Sequence, residues 1–96
     1  MSGAAVPDQI PNGFGAEHTI HDTNELPHGT VAVLFSVGTK GVIKMEDQEG
    51  TAISPHFEVG TYYFKFADLK LIYSTGTVAV LVPATKVYPL VVKAIA

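Results

Sequence analysis

The chain of 96 residues contains no cysteine and no tryptophan, and every one of its six basic Lys/Arg positions is a lysine. Without cysteine there are no disulfides, no thiol nucleophile and no cysteine-ligated metal. Without arginine the chain lacks the planar fork that grips phosphate in two places. Its net charge is −3, so it also lacks the basic footprint that nucleic-acid binding needs. No nucleic-acid partner is expected. Charge is scarce in general: 16% of residues are charged and 47% are hydrophobic, against about 25% charged in ordinary soluble domains. A surface this poor in charge is expected to be covered in part by other molecules. No apolar run approaches the roughly 18 residues that span a bilayer as a helix, and no membrane partner is expected.

Recognisable catalytic patterns are missing as well. The histidines are His18, His21, His28 and His56. His18 and His21 lie three apart beside Asp22, a spacing that shares a face only on a helix. The flanking Gly/Pro arm and Pro27 make a helix there unfavourable, and no third ligand has a recognisable metal spacing. Ser54-Pro55-His56 sets a serine near a histidine, but no serine sits in a nucleophile elbow. Glu46, Asp47 and Glu49 fall in one turn with too few ligands for a calcium loop. The expectation is a protein with no catalytic residues, no metal and no cofactor.

What the sequence does contain is a succession of β-formers separated by turns. Thr30 to Val37 is an unbroken run of strand formers, followed by a turn at Gly38-Thr39-Lys40-Gly41. Val42 to Glu46 and Thr51 to Ser54 flank the polar turn Asp47-Gln48-Glu49-Gly50 and read as a hairpin. Thr61 to Phe66, Leu69 to Ser74, Thr77 to Val82 and Val87 to Ile95 follow, with Pro89 expected to confine the last to an edge or a bulge. Gly76 is expected to hold a positive φ in a two-residue turn joining Leu69–Ser74 to Thr77–Val82. Strands spaced about 8–12 residues apart predict a small antiparallel β-sandwich or barrel of about seven short strands. Residues 1–17, rich in glycine and proline, read as an extended arm, and residues 18–96 as one β domain.

Several strands are apolar on both faces. Thr30–Val37 carries Val31, Val33, Phe35 and Val37 on one side and Ala32 and Leu34 on the other. Thr77–Val82 carries Val78, Val80 and Val82 against Ala79 and Leu81. A lone antiparallel sheet usually turns a polar face to water. Val78, Val80 and Val82 are therefore candidate assembly contacts, together with Val6, Ile10 and Phe14 on the arm. Tyr62, Phe64 and Phe66 share one face and are expected in the core. A second reading uses exposed members of Tyr62, Tyr63, Tyr73 and Tyr88 as a carbohydrate-binding surface on a larger assembly.

The order of turn motifs is also informative. Asp22-Thr23-Asn24-Glu25-Leu26-Pro27 precedes the first strong strand. The hairpin ending at Glu49-Gly50, then Phe57, Val59-Gly60-Thr61, the strand Leu69–Tyr73 and Ser74-Thr75-Gly76-Thr77 follow. Over residues 20–83 this order resembles small virion proteins of tailed bacteriophages and gene transfer agents, including head-spike base proteins. The chain departs from that pattern in Tyr62-Tyr63-Phe64-Lys65-Phe66 and in its longer C-terminal strand. The resemblance implies a non-enzymatic module, self-associating as a trimer and bound to a major capsid protein or another virion protein. Its place would be in the virion, assembled in the host cytoplasm, as a capsid decoration or cement subunit, a spike base, or a tail or baseplate adaptor.

Overall fold

The computed structural model describes residues 10–92 and is all-β, with no helix among them. Eleven short strands replace the seven expected: β1 (Gly13–Phe14), β2 (His18–Thr19), β3 (Thr30–Thr39), β4 (Gly41–Val42), β5 (Met45–Asp47), β6 (Ala52–Ile53), β7 (His56–Phe57), β8 (Gly60–Lys65), β9 (Leu69–Ile72), β10 (Val80–Leu81) and β11 (Lys86–Val91). The increase has a simple cause. Three two-residue strands, β1, β2 and β7, form in stretches that carry no strand pattern in sequence, and the run Val42–Glu46 is divided between β4 and β5.

The ten-residue β3 is the axis of the main sheet. Along one side it pairs antiparallel with β8 over the whole span Ala32↔Lys65 to Val37↔Gly60. Along its other side it meets β10 at Val37 and Thr39, then β11 from Leu34 to Thr30. β10 and β11 thus form a single row beside β3, broken by residues 83–85. The row outside β11 is split likewise, into β1 and β2. A second sheet has the order β6-β5-β9, and β4 pairs with β7. β5 and β6 form the expected hairpin, closed by Asp47, whose Oδ1 accepts from the amides of Glu49 and Thr51 at 2.9 Å each.

Both sheets contribute to one core. Val33, Phe35 and Val37 of β3 pack in a cluster with Met45, Leu69 and Ile72 of the second sheet, and with Ile43, Leu81 and Val87. Phe35, Ile43, Met45 and Ile72 are all but inaccessible to solvent. Each such side chain contributes about 1.5–3 kcal/mol through burial. Tyr62 stacks on Phe35 at 5.5 Å, and Phe57 packs edge-on against both. Tyr62 and Phe64 face the core as expected, whereas Phe66, just past the end of β8, is 42% exposed.

Three sequence expectations need correction, and a fourth, for Pro89, is met in one of its two alternatives. Thr77–Val82 is not one long strand. Only Val80–Leu81 is in the ladder, because the amides of Val78 and Ala79 turn aside to the carbonyl of Val42. Gly76 has the positive φ expected (92°), but it does not close a hairpin. β9 pairs with β5 and β10 with β3, so this turn carries the chain from one sheet to the other. Pro89 lies in an interior strand rather than at an edge, one residue from a register shift between Leu90 and Val91, in line with the other expectation, a bulge. Its carbonyl accepts from Gly15, so its nitrogen, which has no hydrogen to donate, faces the gap between β1 and β2. The close approach relies on glycine, since a Cβ at position 15 would sit 3.2 Å from the Pro89 ring. Finally, the arm read as residues 1–17 joins the sheet before its end: Gly13 and Phe14 pair with Val91 and Leu90.

The turn at Gly76 is held from a distance. Asp22 Oδ1 accepts from the Ser74 amide (3.0 Å), the Ser74 hydroxyl (3.2 Å) and the Thr75 amide (2.9 Å). With Ser74 and Thr75 held by Asp22, and Thr77 bonded to the Tyr73 carbonyl on the other side, a β-branched residue at position 76 has little room to relax. Gly76→Val is expected to destabilise by roughly 1–3 kcal/mol through backbone strain. Gly76→Asn should be much milder, because asparagine tolerates the left-handed region. Thermal melts of the two variants check this, and equal small shifts would contradict it.

Candidate functional site

Alternation along each strand decides what the main sheet shows to solvent. On β11, Val87, Pro89 and Val91 are buried, which turns Lys86, Tyr88 and Leu90 to the opposite face. On β8, Tyr62 and Phe64 point to the core and Thr61, Tyr63 and Lys65 point away. On β3 the outward set is Ala32, Leu34 and Ser36. Register then sets these residues side by side. Tyr88, Leu34 and Tyr63 form one row across β11, β3 and β8. Phe14, Leu90, Ala32 and Lys65 form the next row. Ser36 and Thr61 form a third, joined by a hydroxyl–hydroxyl bond of 2.9 Å.

The result is a largely apolar outer face. Phe14 is 80% exposed, Tyr63 54%, Leu34 37%, Val80 49% and Val82 56%. Val80 lies on this face because its neighbour Leu81 points into the core. Val82 donates its amide to Ser36 and adjoins the same rows. Its polar groups are the Ser36–Thr61 pair, Lys65, Lys86 and the Tyr88 hydroxyl, which donates to Glu17 at 2.9 Å.

Of the residues singled out from sequence, Phe14, Val80 and Val82 lie on this face, Phe14 beside Leu90 at one end and Val80 and Val82 beside the other end of β3. Val78 is exposed in the loop before β10, and Ile10 is exposed ahead of β1. Val6 lies outside the described residues. Leu34, Tyr63, Tyr88 and Leu90 belong to the surface but were not singled out as contacts. Their signal was the outward alternation of three strands, which becomes a surface only once the register is known. The four tyrosines of the carbohydrate reading are dispersed. Tyr62 faces the core and donates to the Glu58 carbonyl, and Tyr73 donates to Glu46 beneath Lys44. Only Tyr63 and Tyr88 share a surface.

The paired histidines take separate roles. His18 is buried, with Nε2 3.0 Å from the carbonyl of Asn24, whereas His21 is exposed and bonds Thr23. Burial pushes the His18 imidazole below its usual range, the hydrogen bond to Asn24 opposes this, and the charge of Lys86 reinforces it. Hydrogen bonds from Thr75, then from Ser74, hold the Asp22 carboxyl down at about 2. Comparison with family models, with curated proteins and with solved structures finds no match for this chain.

These two groups define the pH response. The unfolded chain binds the His18 proton more readily than the folded one, so this contribution to stability is intact above pH 6.5 and declines below it. The Asp22 contribution is intact above 3.8 and is lost as pH falls towards about 2. The melting temperature is therefore expected to fall in two stages on acidification. A melting temperature unchanged from pH 7 to pH 5 would contradict the first stage.

Proposed function

We propose that this chain is a structural assembly subunit of a virion, decorating or cementing a capsid or forming the base of a head spike. The observation that supports it most is the outer face of the main sheet. A domain that works alone and in water would place polar residues there. This one places Phe14, Leu34, Tyr63, Val80 and Val82 there. Such a surface fits attachment to a major capsid protein or another virion protein. The order of turn motifs over residues 20–83 supplies the virion context.

Val80 is half exposed, so Val80→Asp is expected to change the stability of the isolated protein by about 0.5 kcal/mol, a shift of about 2–4 °C in melting temperature. Co-sedimentation with the parent particle should weaken at least tenfold, equivalent to about 1.4 kcal/mol. Undiminished attachment of the folded variant would overturn the assignment of this face.

A further inference from the structure

We propose that two copies of this chain pair antiparallel along the free edge of β8, about a two-fold axis at Tyr63. The argument begins with the direction of hydrogen bonds. Phe66 donates to the Val31 carbonyl, which fixes the phase of the ladder between β8 and β3. Residues 62 and 64 turn their backbone groups to β3, and Thr61, Tyr63 and Lys65 turn theirs away. All three are exposed, and among the described residues their amides and carbonyls meet no other strand. β8 is the longest strand with an unpaired side among the described residues. It carries no proline and no register shift against β3, so it lacks two of the devices that usually protect an edge.

The free groups are symmetric about Tyr63, and this selects a second copy as the occupant. In the two-fold register Tyr63 exchanges both backbone bonds with the partner's Tyr63. Thr61 does the same with the partner's Lys65, and Lys65 with the partner's Thr61. No outward group of the strand is left over. The two lysines lie at opposite ends, each against a threonine, so like charges never meet. On the core side Tyr62 falls opposite the partner's Phe64. This continues the aromatic cluster of Phe35, Phe57, Tyr62 and Phe64 across the junction. On the outer side the two Tyr88–Leu34–Tyr63 rows join into one apolar surface twice as wide. The pairing does not depend on the virion reading, and it is tested on the isolated protein, so the two fail separately.

The absence of cysteine makes the test clean. Opposed residues in a hydrogen-bonded antiparallel pair have Cα atoms about 5.5 Å apart, which is within disulfide reach. The wild-type protein should sediment as a dimer at about 100 μM, above the micromolar weak end of the range for specific interfaces. Under mild oxidation Tyr63→Cys should cross-link at least tenfold faster than Lys65→Cys. A mixture of Thr61→Cys and Lys65→Cys should yield the mixed dimer in preference to either homodimer. A wild-type monomer at that concentration overturns the proposal, as does a trimer. Equal cross-linking of Tyr63→Cys and Lys65→Cys overturns the register even if a dimer is found. All three positions are exposed, and far-ultraviolet circular dichroism matching wild type confirms that each variant is folded.

Discussion

The backbone ladder of β3 is the constraint on which the rest of the molecule depends. One ten-residue strand is hydrogen-bonded along both sides, to β8 on one and to β10 and β11 on the other. That pairing satisfies its polar groups away from water, which lets Val31, Ala32 and Val33 be completely buried. Its inward side chains then organise the core with the smaller sheet. Its outward side chains fix which residues of three neighbouring strands reach solvent together. A one-residue slip would exchange these sets, placing Leu34 and Ser36 inside and Phe35 outside.

The elements that hold this ladder in place are local and polar. Asp22 ties down the turn after β9, and the Pro89 carbonyl anchors Gly15 so that the arm closes the far side of β11. Thr77 ties the start of the crossover to the smaller sheet by donating to the Tyr73 carbonyl and accepting from the Lys44 amide. The interrupted rows are therefore not defects in a regular sheet.

Much of this was legible in the sequence, for identifiable reasons. β3 and the β5–β6 hairpin were readable because branched apolar runs and a polar Asp-Gln-Glu-Gly turn act locally. The positive φ of Gly76 was readable on the same ground. β10 was overextended because Val-Ala-Val-Leu-Val has the same alternation whether its amides join a ladder or, like those of Val78 and Ala79, cross to Val42. β1 was unreadable because two residues of backbone pairing need no side-chain pattern at all. The candidate surface was half legible. Alternation alone identified Val80 and Val82, but Leu34, Tyr63 and Tyr88 become neighbours only through register, which a single strand's sequence does not encode.

The central claim is that the outer face of the β3 sheet is covered in the working assembly. Residue-resolved carbene labelling of the free protein and of the particle-bound protein tests it most directly. Labelling at Leu34, Val80 and Phe14 should fall sharply on attachment. Ile53, which is 55% exposed on β6 of the other sheet, should label equally in both states. Unchanged labelling at Leu34 and Val80 in a particle that demonstrably carries the protein would contradict the account.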